Sequence, residues 1–394
     1  VIFKEPIERK DLFFLLGVIA TSVVLFFIPT GYEAPQGNTV RVKALILEVD
    51  DSNVQDFTVV KQGDQELTLR LLNGKFKGEI IQATNVLIGK MELDTIYEPG
   101  RKALVTLSLN EEREKIVHAN AVGYYRINIE LVLLFLFIAL LLIYAGWTGV
   151  KAVFSFLFTG LLIWKVLLPG YLNGRDPVLL SLLIVLLLTS AIIFLVGGLN
   201  KKGTVAFLGA SAGVILTMVL SLVFGNLFYI HGAVKPFSET LVYSGYAYLN
   251  LTRIFLSGIF LSSSGAVMDI AMDVSASMRE VAEKHPAISA PDLIRSGFSV
   301  GRAVVGTMTT TLLLAYSGGY SAMLMVFMAQ GTPTINIFNI NYVSAEILHT
   351  LVGSFGLVTV APFTAIIGGF LLTKKTGPSV EKARVPAADH AREE

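Results

Sequence analysis

The chain has 394 residues, of which 53% are apolar and 15% charged, and its mean hydropathy is +0.66. A water-soluble domain of this size cannot hide so much apolar surface, so a membrane protein is expected. A net charge of +1 gives no electrostatic footprint for nucleic acid, and the absence of cysteine excludes disulfides, thiolate nucleophiles and Cys-ligated metal centres.

The charges are unevenly spread, with 26 in residues 30–127 and 20 in residues 129–373. This separates one water-facing module from a lipid-embedded remainder. Eight segments reach the roughly 20 apolar residues that a crossing helix needs: 12–29, 129–147, 150–170, 178–197, 204–229, 251–274, 303–329 and 347–372. The first is longer than a signal-peptide core, and Ile28–Glu33 has no small-x-small cleavage site, so an uncleaved anchor is expected. Lys and Arg then fix the orientation. Lys4, Arg9, Lys10, Lys151, Lys201, Lys202, Arg279, Lys284, Arg295, Arg302, Lys374 and Lys375 fall on one side, and only Arg175, Lys235 and Arg253 on the other. The expectation is a polytopic α-helical protein with eight transmembrane helices and both termini cytoplasmic. Its domains are 1–29 (N-terminus and first helix), 30–127 (an outer β module), 128–373 (seven further helices) and 374–394 (a disordered cytoplasmic tail).

Within 30–127, Val40–Val49 and Glu66–Leu71 alternate apolar and polar residues with period two, and Asn73-Gly74 is a hairpin signal. Pro99-Gly100 marks a further turn before Ala103–Leu109. Five or six short strands suggest a small barrel, an OB-like one among the options. Its function could be oligomer binding or simple docking, and sparse aromatics favour docking. The aromatic stretch 230–250 suits the outer headgroup layer.

Ionisable groups at membrane depth are costly and point to function. Asp269 and Asp273, four apart, share one helix face. Two carboxylates one turn apart in a low-dielectric layer repel unless a proton comes between them, which is what a relay exploits. The plainer alternative has Asp273 among headgroups and Asp269 bonded structurally. Thr307, Thr309, Thr310 and Thr311 follow Arg302 at about 7–13 Å, and a helix leaving the bilayer near Met278 puts Asp269 at a matching depth of about 13 Å. Threonine hydroxyls can donate to an ionised carboxylate or accept from a protonated one, and Arg302 can answer its charge.

Glu346 and His349 have a spacing used for metals, yet counting back from Lys374 puts them about 20 Å from Asp269. With Asn336, Asn339 and Asn341 they read as an outer vestibule, and no metal is assigned. Gly209 and Gly213 read as close helix packing within the monomer. His-Glu-x-x-His and Gly-x-Ser-x-Gly motifs are absent, so no catalytic residue, no cofactor and no enzymatic activity are expected.

From about residue 130 to 370 the chain resembles the YibE/F-like family of bacterial multipass proteins. The resemblance is carried by Ser263-Ser264-Gly265-Ala266-Val267-Met268-Asp269 through Ser277-Met278-Arg279-Glu280, and by Gly301-Arg302-Ala303-Val304-Val305-Gly306-Thr307-Met308-Thr309-Thr310-Thr311. It implies a bacterial cytoplasmic (inner) membrane location with the β module extracytoplasmic. More distantly, the spacing of Gly265, Asp269, Arg279 and Glu280, and Arg302 with its threonine run, resemble SecD/SecF and RND transporters. The chain differs from them in two extra spans, Asp273, the lack of Asn after Asp269, and the β module. That resemblance implies a proton- or cation-coupled transport or export component. In it Asp269 is the relay, the cargo is unknown, and a homodimer or paralogous heterodimer sits in the lipid bilayer. The competing class is a non-transporting scaffold or assembly factor that docks through the β module.

Overall fold

The computed structural model describes residues 9–32 and 37–373, so Lys4, Lys374, Lys375 and the tail 374–394 lie outside it. The chain divides into two compact units, Tyr32–Tyr144 and a helical unit of Val1–Gly31 with Ala145–Glu394.

The first unit holds five strands: β1 (Thr39–Asp56), β2 (Lys61–Leu71), β3 (Ile80–Ile88), β4 (Lys102–Leu109) and β5 (Ile116–Tyr124). They close into a barrel in the order β1-β2-β3-β5-β4, antiparallel except for β3 beside β5. The period-two pattern does the work expected of it. Val42, Ala44 and Ile46 of β1, Leu67, Leu69 and Leu71 of β2, and Ala103, Val105, Leu107 and Leu109 of β4 point inward and are buried. Two register shifts let the long β1 bend around the closure. The Asn73-Gly74 signal does mark the β2–β3 connection, but as the opening of an eight-residue link rather than a two-residue turn. The Asn73 side chain accepts from the Lys43 amide at 2.7 Å, and Phe76 tucks into the core, so the extra length plugs that end of the barrel.

Seven helices among the described residues are long and apolar enough to cross a membrane. They are α1 (Arg9–Phe27), α2 (Ile127–Leu172), α3 (Pro177–Gly197), α4 (Lys201–Leu227), α5 (Leu251–Lys284), α6 (Ala290–Ala329) and α7 (Asn341–Leu372). The segments 129–147 and 150–170 follow one another within Ile127–Leu172 as two helical stretches. The break falls at Gly146, where φ is +54° and ψ −124°, a conformation open to glycine alone. Side-chain caps set several starts: Asp176, Asn200, Asn250 and Ser289 each accept from a first-turn amide.

The segments 251–274 and 303–329 prove too short. α5 continues past Met278 to Lys284, and α6 begins at Ala290. The added turns are amphipathic and held by Arg279–Glu283 and Glu280–Lys284 pairs, both at 2.6 Å. Hydropathy detects only the lipid-embedded part of such a helix.

The core of the helical unit lies between α3, α4, α5 and α7, with one side of α6 laid against it. Small residues bring backbones together there. A Cβ on Gly209 would fall 2.1 Å from Thr364 Oγ1, and one on Gly356 would fall 2.2 Å from Thr217 Oγ1. Gly213 meets Val267 and Val360. The Gly209/Gly213 pair therefore packs α4 on α7 inside the monomer.

Candidate functional site

α5 has two unlike sides. Phe260, Val267, Ile270, Val274 and Met278 are buried in the core, while Ser262, Gly265, Asp269 and Asp273 are exposed. Among the described residues, no hydrogen bond or ion pair reaches Asp269, Asp273 or Arg302. The threonine hydroxyls do not donate to Asp269. Thr307 donates to Val304 O (2.9 Å), Thr309 to Val305 O (2.7 Å), and Thr310 and Thr311 to Thr307 O (3.2 and 3.3 Å). In an apolar layer a hydroxyl with no other partner turns to the carbonyl one turn back.

Nor do the four threonines share a face. At 3.6 residues per turn, α6 packs through Leu293, Gly297, Gly301 and Leu312. Thr309 lies toward the α5 side of that stripe, Thr307 and Thr311 toward the other, and Thr310 opposite.

Antiparallel packing singles out one of them. Tyr316 donates to Ser262 Oγ at 2.9 Å, a Cβ on Gly301 would stand 3.9 Å from Val274 Cγ2, and Gly297 faces Met278. Between the Ser262–Tyr316 and Val274–Gly301 contacts, α5 advances twelve residues while α6 retreats fifteen, so the two helices run antiparallel with a slip of about three residues. Seven residues along α5 from Ser262 is Asp269, and seven back along α6 from Tyr316 is Thr309. Seven is nearly two full turns, so each partner stays on the same stripe. Asp269 therefore lies level with the Gly306–Thr309 turn of α6, Thr309 being the threonine of that turn on the α5 side, and Arg302 lies one to two turns further along α6.

At the other end of this edge, a polar cluster joins four elements. Ser262 Oγ is 2.7 Å from His349 Nε2, and it also bonds the Ile259 carbonyl at 3.0 Å. The Tyr316 and His349 rings lie 4.4 Å apart between centroids. Glu346 Oε2 is 3.9 Å from His349 Nδ1, and the Glu346 carboxylate pairs with Lys235. Lys235 also sits 5.6 Å from the centre of the Phe255 ring. The Ser262 bond puts His349 only two turns, about 10 Å, from the level of Asp269, not about 20 Å. Length counted along the final helix does not measure height relative to α5.

The three asparagines do not join this cluster. Asn341 contacts His231 at 3.2 Å, Asn339 donates to Ile335 O at 2.7 Å, and Asn336 is exposed on the short helix Thr334–Asn339. Among the described residues no group of three or more His, Asp or Glu side chains forms a metal-like cluster.

Sequence reasoning overlooked Ser262, Tyr316 and Lys235. The first two had a signal, the seven-residue spacings Ser262–Asp269 and Arg302–Thr309–Tyr316. Lys235 had none beyond being one of few outer cations.

Comparison with known proteins agrees with the division into two parts. Residues 38–124 match the YibE/F family N-terminal domain, and residues 133–374 match the YibE/F-like protein family. No curated protein and no solved structure matches the chain. Barrel, helical domain and nearly the whole length are thus accounted for by one family, and the chain belongs to the YibE/F-like proteins.

Proposed function

We propose that this membrane protein is a proton- or cation-coupled component of transport or export, its core of the SecD/SecF or RND kind, with Asp269 as the group that loads and releases the ion. The observation that supports the reading is that Asp269 faces the Gly306–Thr309 turn of α6, with Thr309 on the α5 side, along an edge left uncovered among the described residues. There the Thr309 hydroxyl can turn from the Val305 carbonyl to donate to ionised Asp269, or accept from the protonated acid. Asp273 lies one turn along the same face, and Arg302 supplies a compensating positive charge on the neighbouring helix.

Eight crossings suit the packing of the helical unit. Lys151 pairs with Asp11 at 3.0 Å, and Lys165 donates to the Ile28 carbonyl at 2.8 Å. α1 and the later half of α2 therefore run in the same direction. A chain that leaves α1 on the barrel side must come back across within Ile127–Ala145, a stretch of about 28 Å and so close to one bilayer core. On the positive-inside rule we read Arg9 and Lys151 as cytoplasmic, in a bacterial inner membrane, with the barrel outside. The strand order, with β3 parallel to β5, supports an OB-like barrel. A second copy or a paralogue covers the α5–α6 edge, because acyl chains cannot solvate Asp269, Asp273 and Arg302.

The test is ion-gradient-driven flux in proteoliposomes. Asp269→Asn is expected to reduce flux to the level of empty vesicles, with partial recovery in Asp269→Glu. Full activity in Asp269→Asn would overturn the relay, and the chain would then be read as a scaffold or assembly factor working through its barrel.

A further inference from the structure

Both ends of the barrel carry charged residues, Lys90, Glu92, Asp94, Glu98 and Arg101 among them at the β3–β4 end, but they differ in the apolar side chains their connections expose. One end carries the connections 72–79 and 110–115, with Lys75, Lys77, Glu79, Glu111, Glu112 and Arg113 among their residues, and its Phe76 is buried. The other end carries the β1–β2 connection 57–60 and the β3–β4 connection 89–101. There Phe57, Val59, Met91, Leu93 and Ile96 are exposed, Val59 at 70% and Met91 at 72%. Val59, Met91 and Ile96 line a shallow hollow of about 170 Å³ with Lys61 and Asp94.

These apolar side chains are held outward by a built loop. The Asp94 carboxylate accepts from the Ile88 amide (3.0 Å) and the Lys90 amide (2.8 Å). Asn85 donates to the Thr95 carbonyl and Tyr124 to the Ile96 carbonyl, both at 2.8 Å. Exposed apolar side chains clustered and held outward in this way mark a contact surface.

Connectivity says what covers it. β5 ends at Tyr124 on this same end, and α2 begins at Ile127. Two residues separate the barrel from a helix that opens on Ile129, Leu131, Val132 and Leu133, all exposed and apolar. Tyr124, Tyr125 and Arg126 stand at the join, the residue types that settle at the headgroup level. The end that carries 72–79 and 110–115, by contrast, faces away from the start of α2.

We propose that the Phe57–Val60 and Gly89–Tyr97 loops are a lipid-binding surface, seating this end of the barrel in the headgroup and upper acyl layer of the bilayer that α2 enters. The barrel then has one fixed orientation relative to the membrane plane, and its opposite end points into water.

Because the chain contains no cysteine, single cysteines can be placed at will. Val59→Cys and Met91→Cys, with Lys75→Cys and Glu112→Cys as controls, would carry a polarity-sensitive fluorophore in the full chain. The chain would be held in nanodiscs of phosphatidylcholine and phosphatidylglycerol, with or without lipid spin-labelled near the headgroup. Positions 59 and 91 are expected to emit to the blue of the controls and to be quenched about twofold by the shallow label, as for side chains buried about 5–10 Å into the interface. Positions 75 and 112 stay water-like and unquenched. Water-like emission at 59 and 91 would overturn the proposal. So would blue emission that the labelled lipid does not quench, which would mean a protein partner covers the patch, or equal quenching at all four positions. None of these outcomes bears on Asp269.

Discussion

The α4–α7 seam and the α5–α6 edge are both rich in small and hydroxylated residues. In the seam every opening is filled: Gly209 meets Thr364, Gly213 meets Val360, and Gly356 meets Thr217. Along the edge, Gly258, Gly265 and Gly306 have no neighbour within 4 Å of the position a Cβ would take. The seam has nearly all its hydroxyls inside helix–helix contacts, whereas the edge has carboxylates with no partner among the described residues. Residue type alone does not separate packing from function in a membrane helix. What separates them is whether the neighbouring helix has already used the space.

The largest effect expected from this contrast is in the seam. Gly209→Val should destabilise by about 3 kcal/mol or prevent folding, since its side chain would displace the Thr364 backbone as well as its hydroxyl. Thermal unfolding in detergent is the measurement, and an unchanged midpoint would mean the seam is looser than described. Along the edge, Thr309→Val should slow gradient-driven flux by roughly tenfold, about 1.4 kcal/mol, and Thr310→Val by less than about twofold. Equal effects at the two positions would undo the register argument. Gly306→Ala should be the mildest change in the helical unit, neutral or stabilising by up to about 1 kcal/mol, because it adds helix propensity where nothing is in the way.

The barrel interior offers the same contrast on a smaller scale. Gln65 is filled like the seam: its carbonyl accepts from Asn85 (2.9 Å) and from the Tyr97 amide (3.0 Å). Tyr97 is only 2% exposed, and its hydroxyl has no hydrogen-bond partner. Burial, then the nearby Tyr124, push the phenol from 10.0 up to about 12. The folded barrel therefore keeps a proton that the unfolded chain gives up first. Stability from this group is complete below pH 10 and falls as pH rises toward 12. Tyr97→Phe should remove that alkaline loss and leave neutral-pH stability nearly unchanged. An identical alkaline unfolding profile in the variant would show that other groups control it.

Much of the architecture was legible because it follows from periodicity. Alternation in Val40–Val49 predicts which β1 residues line the barrel, and apolar runs locate the crossing helices. Hydropathy could not give the helix ends at Lys284 and Ala290, because those turns are stabilised by ion pairs and core contacts with Met278, not by lipid. The Gly146 break was equally hidden, since a dihedral angle leaves no compositional trace. At the candidate site, Asp269 stood out as a charge in an apolar run. The choice of Thr309 over its three neighbours required the inter-helix register, which depends on contacts such as Ser262–Tyr316 that no single helix encodes. His349 was misjudged in depth for a related reason: distance along one helix says little about height relative to another.

Gly146 carries a consequence of its own. Its backbone angles are ones that any other residue resists, so a substitution there favours ordinary helical geometry straight through the joint. Residues 127–172 would then form an unbroken rod of about 69 Å, more than twice the thickness of the oily layer it occupies. The hydrogen atom that serves as the side chain of Gly146 is thus what permits two helical stretches here in place of a single long one.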